Sequence, residues 1–413
     1  MTAVLDAPVC RPTRIRALAP VSGADIAVPV AGSAPLRYAN LDYAASAPAL
    51  TAVADQTAAA LTEYASVHRG AGYLSQVTTA RYEQARETVR AFVGGRADDT
   101  VVFTRNTTDS INLAASVTPG DVVVLDIEHH ANLLPWARTG RARVVSSKAT
   151  VDETIFALDA ELAAAPAALL AVTAASNVTG EVLPIARLAG LAHRHGARIL
   201  VDGAQLVPHR AVSIASFGID YLVFSGHKLY APFGAGVLVG RSDWLDAAEP
   251  YLAGGGASAA VGIDEIDWHT GAARHEAGSP NVLGVISIAA AAEALCDIGF
   301  ERIGQHEEAL VRRLDEGIDA LGHVRPLRIF DDAYGRVGIA GFVVDGYSPR
   351  QVAEHLSTRH GIGVRDGKFC AHPLLAKLGH PDGAVRASFG VGTGSDDVDR
   401  LLDALAELAP TSR

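Results

Sequence analysis

Between about Leu36 and Gly299 the chain alternates short, almost unbroken apolar runs with longer segments whose apolar positions recur every three or four residues. The runs TVVFT (100–104), DVVVLD (121–126), ALLAVTA (168–174), ARILVD (197–202), YLVFS (221–225) and GVLVG (236–240) are rich in Val, Ile and Leu and predict strands. Strands this apolar have no polar face to offer water, so they predict a sheet covered on both sides. PIARLAGLAHRHG (184–196) opens with a proline, puts Ile185, Leu188 and Leu191 on one face and stops at Gly196, which is the punctuation of a helix. The alternation predicts an α/β fold with a mostly parallel sheet. After about residue 300 helices interleave with fewer strands, VGIAGFVVDG (337–346) and AVRASFGVG (384–392), and the chain closes on SDDVDRLLDALAEL (395–408), whose acidic first turn suits a helix N-terminus. The expected organisation is an irregular arm (1–35), a large α/β domain (36–299) and a smaller α+β domain (300–413).

Composition narrows the partners. The 413 residues are 49% hydrophobic and 20% charged, with a net charge of -11, which opposes nucleic acid and anionic membrane surfaces at long range. Small molecules and proteins are the expected partners. No apolar run reaches the ~20 residues of a membrane span, and the first 35 residues lack the continuous apolar core of a signal peptide, so none is expected there. The three cysteines, Cys10, Cys296 and Cys370, have neither disulfide nor zinc spacing, which fits a reducing cytoplasm.

Ligands of parallel sheets collect at the carboxyl ends of the strands. There the sequence places Thr107 and Thr108 at a helix start, then His129 and His130, Asn177, Asp202 and Gln205, and finally Ser225, His227 and Lys228. Each alone has an ordinary reading: caps for the threonines and Asp202, packing for the histidines, a stem with its amine in water for Lys228. Their convergence on one edge favours a shared site. Lys228 stands in FSGHKLYAPFGAG (224–236), an apolar, glycine-rich setting that would desolvate the amine and make it nucleophilic near neutral pH. The chemistry that uses the whole set is that of pyridoxal 5'-phosphate, whose aldehyde forms a Schiff base with a lysine. Asp202 suits the pyridine nitrogen, His129 the ring face, Thr107, Thr108, Ser225 and His227 the phosphate, and Gln205 or Asn177 the phenolic oxygen.

LDYAASAP (41–48), VHRGAGYLS (67–75), EHHANLLPW (128–136), SNVTGEVLP (176–184), VDGAQ (201–205), SGHKLYAPFGAG (225–236), EAGSPN (276–281), RDGKFCAHPLL (365–375) and VRASFG (385–390) together resemble the class V aminotransferases of pyridoxal phosphate fold type I. The likeness is greatest to the cysteine desulfurase/selenocysteine lyase group. It implies that Cys370 attacks the substrate sulfur, that Arg386, with Arg365 and Asn177, binds the substrate amino acid, and that the chain is a homodimer in which Ser279 reaches the neighbouring subunit's cofactor phosphate. It also implies L-cysteine or selenocysteine as substrate, alanine as product and a sulfur-acceptor protein as partner. Lys368 and His372 flank Cys370 and are expected to favour its thiolate, on a loop relaxed by Gly367; Cys10 and Cys296 have no such setting. Gly72, Ala231 and Phe233 depart from the group's pattern, which bears on substrate range and sulfur acceptor. The alternative is another class V reaction, such as an aminotransferase, epimerase or C–S lyase, with Cys370 not catalytic. A nicotinamide fingerprint and a phosphate-binding P-loop are both absent from the sequence.

Overall fold

Every residue of Leu169–Thr173 and Tyr221–Ser225 is buried, as unbroken apolar runs require of strands covered on both faces. A computed structural model, which describes residues 14–409, shows how they are assembled. Cys10 and the start of the arm lie outside the described residues. The central sheet has seven strands: β1 (Asp99–Thr104), β2 (Val122–Leu125), β3 (Ala142–Val145), β4 (Leu169–Thr173), β5 (Arg198–Asp202), β6 (Tyr221–Ser225) and β7 (Gly236–Arg241). Their order is β1-β7-β6-β5-β4-β2-β3. Neighbours are parallel except around β7, which is antiparallel to both β6 and β1. The link 226–235 is too short for the crossover of a dozen or more residues that a parallel neighbour needs. Thus β1, β2, β4, β5 and β6 all point their carboxyl ends at one edge.

Helices α1 (Thr51–Leu61), α2 (Tyr73–Phe92), α3 (Thr107–Val117), α4 (Val151–Ala164), α5 (Ile185–Arg194) and α6 (Val282–Ile298) accompany this sheet. The α5 pattern buries Ile185, Leu188 and Leu191, and Gly196 takes a positive φ just past its end. Reciprocal capping by Thr150 and Glu153 starts α4. The alanine run 289–292 of α6 is buried where α1 and α2 pack against that helix.

A second, antiparallel sheet of order β8-β9-β11-β10 contains β8 (Val324–Pro326), β9 (Ile339–Val344), β10 (Arg365–Gly367) and β11 (Ala384–Ser388). With α7 (Phe300–Leu321), α8 (Pro349–His360) and α9 (Ser395–Ala406) it encloses a core around Leu310, Leu314, Phe342, Val352 and Leu401. Ala39 and Leu41 join that core, Ala39 by parallel pairing with Ile362. The described part of the arm is tied to the same region, Leu18 donating its amide to the Val391 carbonyl at 2.7 Å and Arg14 pairing with Asp396 at 2.5 Å.

Gly236 joins the fold to the edge where the site forms. A Cβ there would lie 2.5 Å from the backbone of Asn106, the residue that caps α3. Gly236→Ala is therefore expected to cost about 2 kcal/mol through a backbone shift and to displace the start of α3. Gly190→Ala in α5 meets only Arg194 Nη1 at 3.9 Å and should be neutral or stabilising by up to ~1 kcal/mol. Denaturant unfolding of both variants checks the contrast; equal stabilities would contradict it.

Candidate active site

The carboxyl edge of the large sheet and one edge of the small one enclose a cavity of about 730 Å³. Lys228 reaches it from a turn after β6, with its amide bonded to the Ser225 carbonyl at 3.3 Å. Burial pulls the ammonium pKa down to about 8, with Asp202 opposing that shift and Arg386 adding to it. Asp202, the last residue of β5, is buried, and burial raises its pKa although Lys228 acts the other way. One of its oxygens accepts from the Ala204 amide at 3.0 Å. Both groups are thus pushed toward neutrality.

The opposite end of the cavity is built to receive an anion. Asn106 caps α3 by accepting from the Asp109 amide at 3.0 Å, so Thr107 and Thr108 occupy a first turn whose amides have no intrahelical acceptor. Thr107 Oγ1, Ser225 Oγ and Gln205 Oε1 line the cavity, and all are buried without a hydrogen-bond partner. Buried polar atoms are rarely left so. This donor set fits a phosphorylated pyridine cofactor, with Asp202 and Lys228 at the ring end. His227 lies beside it, its pKa lowered to about 4 by burial first and Lys228 second.

His129 follows β2, and its Nδ1 accepts from the Ala131 amide at 3.0 Å. Burial, then repulsion by Lys228, lowers its pKa to about 3, so the ring is neutral with its proton on Nε2. A buried chain that the sequence reading missed holds it: Glu128 accepts from Thr173 N at 3.0 Å and from Asn132 Nδ2 at 2.7 Å, and Asn132 accepts from Trp136 Nε1 at 3.1 Å. The spacing of four between Glu128, Asn132 and Trp136 was the available signal.

Arg386, on β11, is buried rather than a surface ion pair. Its Nη1 donates to the Asn177 carbonyl at 2.8 Å, its Nη2 to Asp42 at 3.2 Å, and its buried Nε has no partner. Burial lowers its pKa. Arg365 stands opposite it in the β10–β11 register and lines the rim. Asp42, in a stretch the sequence flagged as family-like, had not been singled out.

Cys370 is exposed and lines the cavity that Lys228 enters. The loop expected there is closed by a tight turn. Ala371 N donates to the Lys368 carbonyl at 2.9 Å, and Phe369 and Cys370 both have φ of 52°. Left-handed backbone at two consecutive non-glycine residues costs about 1–3 kcal/mol each. It is held by His130 N donating to the Cys370 carbonyl at 2.8 Å, Asn177 Nδ2 donating to the Phe369 carbonyl at 2.8 Å, and the burial of Phe369 and Ala371 on either side. The Asn177 amide thus gives one of its two N–H groups to this turn. The Gln205 amide donates one of its two hydrogens to the Ala44 carbonyl at 2.9 Å, so Asn177 and Gln205, both lining the cavity, each keep a second N–H. Lys368 and His372 also line the cavity, the His372 ring stacked edge-on to His130 at 4.5 Å. Cys296 lies in α6, away from the cavity. Ser279 is exposed and does not line the cavity either. A larger cavity, about 870 Å³ between α5 and α7, contains none of the predicted site residues.

A lysine and carboxylate facing an anion-binding helix start, with an arginine and a thiol from the second sheet, define a class of protein. The chain belongs to the Aminotransferase class-V family, whose model matches residues 39–401. Within that family its relatives are cysteine desulfurases. A cysteine desulfurase of Klebsiella pneumoniae (strain 342) is 38% identical over 415 residues, covering 96% of this chain and 97% of that protein. The apo structure of a cysteine desulfurase from Thermococcus onnurineus NA1 matches with a TM-score of 0.83 at 34% identity, over 90% of this chain and 94% of that one. The crystal structure of the Escherichia coli cysteine desulfurase CsdA (S-sulfonic acid) matches with a TM-score of 0.79 at 35% identity, over the same shares.

Glu128 gives a pH test of the site's foundation. Burial raises its pKa from 4.5 to about 8, so between these values the folded chain keeps a proton that the unfolded chain releases. Its contribution is fully present below 4.5 and lost as pH rises toward 8. Glu128→Gln removes that dependence. The variant should gain stability relative to the parent by a few kcal/mol between pH 5 and pH 8, measured by urea unfolding at both. A constant difference would show that Glu128 is ionised throughout.

Proposed function

We propose that this protein is a pyridoxal phosphate-dependent cysteine desulfurase, which takes sulfur from L-cysteine onto Cys370 and releases alanine. The observation that carries the reading is one cavity shared by Lys228, Asp202, Arg386 and the thiol of Cys370. Lys228 and Asp202 would hold the reactive end of the cofactor, His129 its ring face, and Thr107, Thr108, Ser225 and His227 its phosphate. When bound, the cofactor supplies an electron sink that weakens bonds around the amino acid's α and β carbons. Arg386, with Arg365 at the rim, receives the substrate carboxylate, for which its partnerless Nε is one available donor.

Lys228 Nζ, poised near pH 8, can take up and return a proton within the working range, and His129 Nε2–H is a second donor beside it. The Cys370 thiolate attacks the substrate sulfur. An S–S bond forms as the Cβ–S bond breaks, and the electron pair left on carbon is protonated to give alanine. Exposure of Cys370 then leaves the persulfide open to a sulfur acceptor. The proposed cofactor-binding domain (36–299) contributes Lys228 and Asp202, and the proposed smaller domain (300–413) contributes Cys370 and Arg386. A cytoplasmic setting, where thiols stay reduced, is part of the proposal.

Cys370→Ser should keep the cofactor's visible absorbance and its change on adding L-cysteine, while alanine formation falls by ~10³-fold or more, the scale of losing a nucleophile. Wild-type alanine production, or pyruvate and ammonia in its place, would replace this reading with another class V reaction.

We also propose a homodimer. Exposed Leu61, Tyr64, Tyr73 and Leu74 gather where α1 leads into α2, and two-fold dimers are the commonest assemblies. Light scattering should give twice the chain mass, and Ser279→Ala should weaken cofactor binding without changing the fold. A fully active monomer at micromolar concentration would contradict both.

A further inference from the structure

Outside the cavity, the ends of α8 and α9 bring three metal-binding side chains together. Glu407 Oε2 lies 3.1 Å from His360 Nε2 and 3.6 Å from His355 Nε2, and the two imidazole centroids are 4.9 Å apart. One ligand atom from each residue lies within 4.8 Å of the other two. Ligand atoms about 2.1 Å from a tetrahedral cation are about 3.4 Å from one another. The two carboxylate–imidazole separations already have that size, and only the ring–ring separation has to contract.

A His360–Glu407 hydrogen bond would by itself explain one of these contacts. It leaves His355 unexplained. The Nε2 of His355 is buried and has no hydrogen-bond partner, and at 3.6 Å Glu407 is too far to be one. That unpartnered nitrogen is the one that faces the Glu407 carboxylate. Leu356, Leu401 and Leu405 are buried in the core shared by α8 and α9 and fix the two backbones, while Glu407 is half-exposed and leaves a fourth position open to water.

We propose that His355, His360 and Glu407 form a binding site for a borderline divalent cation of the zinc class. Two imidazoles and one carboxylate disfavour calcium and magnesium, which require oxygen ligands. None of the three residues lines the Lys228 cavity. The site would clamp the end of α9 to α8, so its occupancy should raise the melting temperature by mass action.

The test uses tag-free holoprotein freed of metal with a chelator, titrated calorimetrically with zinc chloride and melted with and without it. One zinc per chain should bind and raise the melting temperature. Glu407→Gln, an isosteric change at a half-exposed position, and His360→Ala should each weaken binding by more than the ~10–100-fold that loss of an outer-shell partner costs. Cys370→Ser should bind zinc as the parent does, which separates this site from the exposed thiol. Unchanged affinity in Glu407→Gln and His360→Ala, loss of binding in Cys370→Ser, or no binding by the parent below millimolar zinc would each overturn the proposal. Far-ultraviolet circular dichroism of each variant shows whether its fold is intact, and Glu407→Gln alone suffices if His360→Ala unfolds.

Discussion

Asp202 and Lys228 line the same cavity with their charged groups buried, and neither can hold its charge there without cost. Their attraction favours the ion pair, yet burial moves the lysine down and the aspartate up. Desolvation outweighs attraction. The result is an amine that releases its proton near pH 8 rather than well above it, which brings it within reach of nucleophilic lysine chemistry. The same burial leaves Thr107, Ser225, Gln205 and Arg386 with atoms that have no protein partner, each a debit of about 1–3 kcal/mol. Strands buried along their whole length, such as β2, β4 and β6, supply the apolar burial that offsets it.

Asn177 connects the two halves of the site. Its carbonyl accepts from Arg386, and its side chain donates to the carbonyl of Phe369, the residue before Cys370. The group expected to grip a substrate carboxylate and the turn that presents the thiol are therefore positioned by one residue at the end of one strand. The Arg386 guanidinium also lies 5.2 Å from the centroid of the Phe369 ring, a cation–π contact that couples them again. Strain at Phe369 and Cys370 persists because both sides of the turn are anchored. An exposed thiol held this way is presented outward at small entropic cost.

The buried strands were legible because their chemistry is local: a run with no polar face can only lie inside. Strand β3 was not, since Arg141 and Arg143 interrupt its surroundings and Val144 is 55% exposed at the sheet's edge. An edge strand leaves a weak pattern. Lys228, Asp202, Thr107 and His129 were legible because each follows a strand end, and a parallel sheet gathers such ends. Asp42 and Glu128 were not, because their roles depend on partners distant in sequence, Arg386 and Thr173. The loop at Cys370 was legible from Gly367, but not the bonds from His130 and Asn177 that tie its carbonyls, because both partners are distant in sequence.

The positions that depart from the family pattern divide the same way. Ala231 is buried, its amide bonded to the Gly226 carbonyl at 2.8 Å just beyond Lys228, and a small apolar residue there preserves the packing that desolvates the lysine. Gly72 and Phe233 lie outside. Gly72 precedes α2 with nothing within 4 Å of where a Cβ would stand, and Phe233 is 37% exposed on a segment held by Asn281. Interior positions answer to the electrostatics of one buried pair, so few residues serve there. Rim positions answer to solvent, and the open space at Gly72 and the exposure of Phe233 let them vary without touching the buried packing around Lys228.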